Sequence, residues 1–160
     1  MVLGLDRSLV GCRRVSGQTP SSLAAQWGHT KVVRFLLKET DLNINAVDDC
    51  HSTPLIWVIR WFHGTPEIAD MLLAREDIIV GHRDGWGQSV LSHVAQHGCI
   101  AILQALLKRQ DININDRDHK GCTPLIWAAI RGQLNSIELL LAQEGVDINA
   151  QDNLGKTATA

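Results

Sequence analysis

The chain has 160 residues, 45% hydrophobic and 20% charged, the balance of one soluble globular domain with enough apolar residues for a core and too few charges for a disordered chain. Fifteen Lys and Arg against 17 Asp and Glu leave a formal net charge of -2, which excludes a whole-chain basic field and, with it, nucleic acid or an anionic membrane surface as the default partner. The longest apolar stretch, Leu55 to Phe62, contains Arg60 and falls far short of the roughly 20 residues of a membrane span.

In chain order, residues 1–16 form a poorly defined segment with no clear polar capping helix, and Asp6 and Arg7 interrupt its apolar run, which makes a poor signal peptide. From Gly17 onward the sequence repeats. Gly28, Gly64, Gly98 and Gly132 fall 36, 34 and 34 residues apart, and eight residues after each stands a leucine pair: Leu36-Leu37, Leu72-Leu73, Leu106-Leu107 and Leu140-Leu141. Sixteen residues beyond each pair comes a hydroxyl, at Thr53, Ser89, Thr123 and Thr157, with Thr19 heading the first unit. One period shared by several markers is the signature of a repeat array. The units run approximately over 17–50, 51–86, 87–120 and 121–154, with a partial unit at 155–160.

Each unit reads as two helices and a turn. Thr19-Pro20, Thr53-Pro54 and Thr123-Pro124 place a capping hydroxyl before a proline suited to the first helical position. An apolar stripe such as Leu125, Trp127, Ala128 and Ala129 follows and stops near the glycine. A second helix covers Ile137 to Leu141 and its equivalents. Alternating segments such as Asn43-Ile44-Asn45, Asn113-Ile114-Asn115 and Asp147-Ile148-Asn149 then lead into Asp-rich hairpins, with the isoleucines expected to pack beneath them. Such short helix pairs cannot cover their own apolar faces, so small residues at Ala24-Ala25, Ala95 and Ala128-Ala129 let units stack around a continuous core.

Thr-Pro-Leu at 53–55 and 123–125, Gly-His at 28–29, the leucine pairs and Asp-Ile-Asn-Ala at 147–150 resemble the ankyrin repeat. The resemblance covers residues 17–160, and the 34-residue period and Leu-Ile-Trp at 125–127 are similar to arrays common in filamentous fungi. It implies an all-α ankyrin-repeat solenoid of helix-turn-helix units with short β-hairpin loops, four repeats plus the start of a fifth. Family members often carry a capping histidine three residues after the motif threonine; here Ser22, Ile56, Ser92 and Ile126 stand there, so that network is absent or weakened. Gly17, Gly87, Gly121 and Gly155 occupy the hairpins, but the second has His51, which predicts strain where a positive φ is required.

The chemistry-bearing patterns favour plain readings. Cys12, Cys50, Cys99 and Cys122 lie 38, 49 and 23 residues apart, too scattered for a zinc knuckle or redox dithiol and suited to a reducing, cytoplasmic or nuclear compartment. His93, His97 and Cys99 fall short of the ligand set of a structural metal site; His93 replaces Leu23, Trp57 and Trp127 as a semi-buried packing residue. Gly155-Lys156-Thr157 resembles the end of a phosphate loop, but Ala150 stands where the first glycine belongs. No nucleophile-base set or carboxylate pair stands out, since the aspartates are explained by turns. No catalytic, cofactor or metal site is expected.

What remains is recognition. The resemblance implies a concave binding face built from hairpin tips (Gln18, Asp49, Cys50, Ser52, Gly85, Trp86, Gln88, His119, Lys120, Cys122, Asn153, Leu154, Lys156) and first-helix ends (Gln26, Trp27, Arg60, Trp61, Gln96, His97, Ile130, Arg131). Arg60, Lys120, Arg131 and Lys156 oppose Asp49 alone in these sets, and tryptophan and arginine are enriched at binding hot spots. Trp27, Arg60, Trp61, Trp86, His97, Lys120, Arg131 and Lys156 are therefore the candidate partner-binding residues. From the motif hydroxyl to the glycine, units one, three and four span nine residues, whereas Thr53 to Gly64 spans eleven. The two added residues fall in Arg60-Trp61-Phe62-His63, and Thr65-Pro66 restarts the chain as N-cap and first helical position. Trp61 is thus expected to project as a partner anchor beside Arg60, the competing reading being that Trp61 or Phe62 fills space between repeats. The function expected is a monomeric, non-catalytic scaffold that binds another protein, one with an acidic segment, without nucleic acid, membrane or cofactor. The alternative is the sensor or specificity arm of a larger multidomain enzyme or NTP-driven receptor.

Overall fold

The computed structural model describes residues 17–39, 41–62 and 66–159. The expectations for residues 1–16, the cap at Thr65 and His63-Gly64 lie outside the described residues, as does the side chain of Phe62. Eight helices follow one another among the described residues: α1 (Pro20–Gln26), α2 (Thr30–Leu36), α3 (Pro54–Phe62), α4 (Pro66–Leu73), α5 (Val90–His97), α6 (Ile100–Leu107), α7 (Pro124–Ile130) and α8 (Leu134–Leu141). Each odd-numbered helix packs on its even-numbered partner, α1, α3, α5 and α7 contact one another in turn, and so do α2, α4, α6 and α8. Two helical layers result, with hairpins extending from the first. The architecture is an all-α repeat solenoid.

The hydroxyl residues start the first helices as their chemistry dictates. Thr19, Ser89 and Thr123 have extended backbones, and their side-chain oxygens accept from the N–H three residues on; Thr53 accepts from Ile56 at 3.3 Å. This satisfies one of the donors that a helix leaves unpaired at its start. Ser22 and Ser92, in place of the family histidine, also form hydroxyl pairs with Thr19 at 2.9 Å and Ser89 at 3.2 Å. A reduced capping network therefore persists in units one and three, while Ile56 and Ile126 contribute only packing. Gly98 ends α5 in the left-handed conformation; Trp27 and Arg131 are the C-caps of α1 and α7, one residue ahead of their glycines. The second helices begin without side-chain caps at His29, Cys99 and Gln133 and depend on burial, chiefly of Val33, Ile68, Leu72, Ile102, Leu103, Leu106 and Leu140.

The hairpins are tight turns rather than strands, and the β-type pairing among the described residues is a single bridge between Arg83 and Ser89. Aspartate explains this. The Asp48, Asp84, Asp118 and Asp152 N–H groups donate to the carbonyls of Ser52, Gln88, Cys122 and Lys156. One carboxylate oxygen of each accepts the N–H groups two and four residues later, at 2.8–3.0 Å. A side chain thus supplies acceptors that a strand partner would otherwise provide. Successive tips are joined by N–H groups of Gly85, His119 and Asn153 donating to the carbonyls of Cys50, Trp86 and Lys120. His51 has φ 56° among hairpins otherwise turned by glycine, as expected. Ile44 is fully buried and Ile114 partly buried, but Ile148 is half exposed, which corrects its expected place in the core. Among the described residues no following unit covers it.

Candidate functional site: the groove between hairpins and first helices

The second carboxylate oxygens of Asp48, Asp84 and Asp118 reach the first helices of units two to four. Trp57 Nε1 donates to Asp48 at 2.7 Å, Trp127 Nε1 to Asp118 at 2.9 Å, and His93 Nε2 lies 2.9 Å from Asp84. Three ring nitrogens, each nine residues after its aspartate, tie hairpin to helix at the base of the groove. His93 is therefore fully buried rather than semi-buried, and it is a polar partner as well as a packing residue. Its Nδ1 is buried without a hydrogen-bond partner, a cost that indole, with a single ring nitrogen, avoids. Burial would raise the Asp84 pKa, but the hydrogen bond and charge of His93, with the N–H groups of Gln88 and Trp86, hold the carboxyl below its usual range.

A second set of pairs, eight residues apart, lies next to the rings. Gln18 Nε2 donates to Gln26 at 2.9 Å, Arg60 Nη1 to Ser52 at 3.5 Å, and Gln88 Nε2 to Gln96 at 3.3 Å. Gln18, Ser52, Gln88, Cys122 and Gln96 are buried, and the presenting surface is narrower than the sequence implies. The residue after the positive-φ position of the first four turns points back beneath the hairpin, while the residues before it remain outside and Lys156, after Gly155, stays exposed. In unit four the same two positions are Cys122 and Ile130, an apolar pair.

Two adjoining clefts open over these residues. One, of about 280 Å³, is walled by Arg60, Trp86, Gln96, Lys120 and Arg131 over His93 and Asp118. The other, of about 660 Å³, is lined by Cys122, Trp127, Ile130 and Leu154 and shares His119, Lys120, Trp127 and Arg131 with the first. Four of the candidate residues, Arg60, Trp86, Lys120 and Arg131, are thus brought together. Arg60 is held rather than free: its guanidinium lies 5.4 Å from the Trp57 ring centre and 4.8 Å from that of Trp86, and 3.8 Å from Asp84. Lys120 sits 5.9 Å from the Trp127 ring centre. The remaining candidates are elsewhere. Trp61 is 56% exposed with its ring 6.2 Å from that of Trp57, Trp27 is 57% exposed at the end of α1, and Lys156 is exposed on the last hairpin. His97 stacks near His93 at 6.5 Å.

Assigning aspartate to turns alone hides Asp84, Asp118 and their ring nitrogens. The recurring nine-residue spacing from aspartate to Trp or His is the signal that reveals them. Burial raises the thiols of Cys99 and Cys122 to about 11, so these two are unreactive at neutral pH. Among the described residues, no group of three or more His, Cys, Asp or Glu side chains could hold a metal ion, and no helix is long and apolar enough to cross a membrane.

The capped first helix, glycine stop, uncapped second helix and Asp-closed hairpin recur through the chain, and comparison with known proteins gives the same pattern. A stretch of 71 residues, 44% of this chain, is 41% identical to human rabankyrin-5, of which it spans only 6%. The family model for ankyrin repeats in three copies matches residues 3–84 and 62–152. With most of its length matched, the chain belongs to the ankyrin repeat family, whose members are typically non-catalytic and mediate protein–protein interaction.

Proposed function

We propose that residues 17–160 form a monomeric, non-catalytic scaffold that receives an acidic segment of a partner protein along the groove between hairpins and first helices. The observation that carries this reading is the assembly of Trp86, Lys120 and Arg131 on two adjoining clefts. Exposed cations around aromatic faces suit an anionic, extended ligand. Trp61, half exposed at the end of the lengthened α3, is proposed as a separate anchor, with Trp27, His97 and Lys156 as outlying contacts. Arg60 serves to position Trp86 and contributes little free charge. The compartment we infer is cytoplasmic or nuclear.

The test begins with affinity capture of a partner and then measures its association. Reversing Lys120 and Arg131 to Glu together is expected to slow association at low salt, because charge complementarity acts mainly on that rate. An unchanged rate refutes the acidic-segment reading. Trp61→Ala is expected to cost about 2 kcal/mol or more of binding with melting nearly unchanged. Lost stability with normal binding would make Trp61 a packing residue.

One observation favours a second reading, the sensor or specificity arm of a larger enzyme or receptor: the human relative carries its matched repeats within a far longer protein. A transcript whose reading frame continues past Ala160 into a nucleotide-binding or hydrolase domain would support it.

A further inference from the structure

Unit four departs from the others at one pair of positions, and the departure changes what the groove can hold. In units one to three, the residue after the turn and the residue eight positions later hydrogen-bond to each other: Gln18 with Gln26, Ser52 with Arg60, Gln88 with Gln96. Each pair spans the gap between hairpin and first helix with polar atoms. Cys122 and Ile130 replace that pair with apolar groups. No hydrogen bond bridges them, and the roughly 660 Å³ cleft opens there, with Ile130 58% and Leu154 81% exposed. Exposed apolar side chains gathered in a cleft favour an apolar occupant over water.

Beside this cleft stands an uncommitted guanidinium. Among the described residues, the side chains of Arg34, Arg60, Arg75, Arg83, Arg109 and Arg117 each hold a carboxylate, hydroxyl or carbonyl oxygen, whereas that of Arg131 has no acceptor. Arg131 is exposed at the C-cap of α7, directly after Ile130. Lys120 approaches the same cleft from the hairpin, its ammonium over the face of Trp127, and Asp152 lies in the cleft's lining. A planar guanidinium with free donors fits a carboxylate through two parallel hydrogen bonds, and a nearby ammonium adds charge without demanding geometry.

Resting on the acidic-segment reading above, we propose that unit four reads a two-part motif in an extended partner segment: a carboxylate side chain held by Arg131 and Lys120, and an aliphatic side chain two residues away seated over Cys122, Ile130 and Leu154. The spacing follows from extended backbone, in which alternate side chains point to the same face about 7 Å apart, while the carboxylate and aliphatic sites adjoin through Trp127 and Arg131. Two cations, Lys120 and Arg131, share that cleft with the one carboxylate of Asp152, whose Oδ1 already accepts the N–H groups of Leu154 and Lys156. The net positive charge therefore selects the carboxylate, and the missing polar pair selects the aliphatic group.

The probes are three nonapeptide libraries passed over the immobilised 160-residue chain, with Glu, Gln or phosphoserine fixed at the centre and the other positions randomised. The Glu library is expected to be retained at least about tenfold better than the Gln library, with Leu, Ile or Val enriched two residues from the Glu. Arg131→Glu should erase the Glu preference. Ile130→Gln, an exposed exchange that leaves folding intact by circular dichroism, should erase the aliphatic enrichment while keeping the Glu preference. The double exchange Cys122→Gln with Ile130→Gln, which reproduces the pair of unit three, should do so more completely. A Glu preference without aliphatic enrichment, or enrichment that survives Ile130→Gln, overturns the two-part motif and leaves the acidic-segment reading standing. No preference for Glu over Gln overturns both. Phosphoserine retained tenfold better than Glu, with the same dependence on Arg131, assigns the anchor to phosphate and overturns the carboxylate.

Discussion

Units two and three are built on one template, yet they distribute their departures from it differently. Both bury the same kind of core: Leu55, Ile56, Ile59, Ile68 and Leu72 in unit two, and Val90, Leu91, Val94, Ile102, Leu103 and Leu106 in unit three. Outside the core they diverge. Unit two turns its hairpin on His51 where unit three uses Gly87. It also extends α3 to nine residues against eight for α5, and follows α4 with Gly81 where unit three follows α6 with Asn115. Asn115 donates to the carbonyl of Gly145 at 2.7 Å and accepts from Asp147 at 2.8 Å; Asn45 makes the corresponding bridge from unit one to unit two. Gly81 has no side chain to do so, and a cleft of about 220 Å³ lined by Gly81, Asp111 and Asn113 opens between units two and three. An array tolerates such changes because each loop touches only its neighbours, while the stacked core continues beneath.

If the difference is confined to the loops, removing equivalent core leucines must hurt both units alike. Leu72→Ala and Leu106→Ala are each expected to cost about 2–5 kcal/mol, from lost transfer energy and the cavity left behind. Urea melts would show whether the two costs agree within about 1 kcal/mol. A Leu72 variant much milder than its counterpart would mean that the lengthened α3 has loosened the core of unit two.

The hairpin ties provide a second contrast, since unit two closes on an indole and unit three on an imidazole. Asp84→Asn removes a buried carboxylate from His93 and two N–H groups and is expected to cost about 1–3 kcal/mol at pH 7. Because the folded-state pKa of Asp84 is depressed, its contribution is present above the unfolded carboxyl value near 4 and disappears as pH falls through the lower folded value. Melting across that acid range should therefore bring wild type and Asp84→Asn together. A gap that stays constant would show that the carboxylate charge contributes nothing.

The repeat frame was legible because its determinants are local: a hydroxyl before proline, a glycine eight residues before a leucine pair, an aspartate in a turn. His51 and the added residues of α3 were legible for the same reason, as breaks in a counted period. The groove was harder to read. Gln88 and Gln96 look like free polar surface until the helix faces the hairpin and joins them, and Arg60 looks like a free cation until Trp57 and Trp86 enclose it. Such pairings depend on packing between elements, which composition does not encode. Ile148 illustrates the converse: its alternation with Asn149 is the pattern of a buried strand residue, but burial requires a neighbour above it.

Restoring the missing bridge sharpens the comparison from the other side. A Cβ at Gly81 would meet nothing within 4 Å, and the residue lacks the positive φ that asparagine would find strained. Gly81→Asn is expected to add about 1 kcal/mol of stability, through two hydrogen bonds like those of Asn45 and a less flexible unfolded chain, less the entropy of fixing the side chain. No rise in the melting midpoint would show that the two units are set too far apart at that seam for the bridge to form.

The smallest effect expected is at His51, where two backbone terms oppose. Holding a residue with a Cβ in the left-handed region costs roughly 1–2 kcal/mol, which glycine avoids. Glycine also gives the unfolded chain more freedom, returning about 0.4–1 kcal/mol of that advantage. His51→Gly should therefore gain a few tenths to about 1 kcal/mol. Among the described residues its exposed side chain has no hydrogen bond or ion pair to lose, and its N–H bond to the carbonyl of Asp48, 2.9 Å, belongs to the backbone and survives the exchange. The reverse change at unit three would not mirror it. A Cβ at Gly87 would stand 2.6 Å from the His119 ring and 3.0 Å from its backbone nitrogen, adding a collision to the strain. At His51 the following hairpin carries Gly85 where His119 follows Gly87, each donating its N–H to the tip before it, so no side chain stands at the corresponding place. A gain in the melting midpoint at 51 together with a clear loss for Gly87→Ala would locate the difference between the units in steric room at the turn. Equal and opposite shifts would instead reduce it to the backbone angle alone.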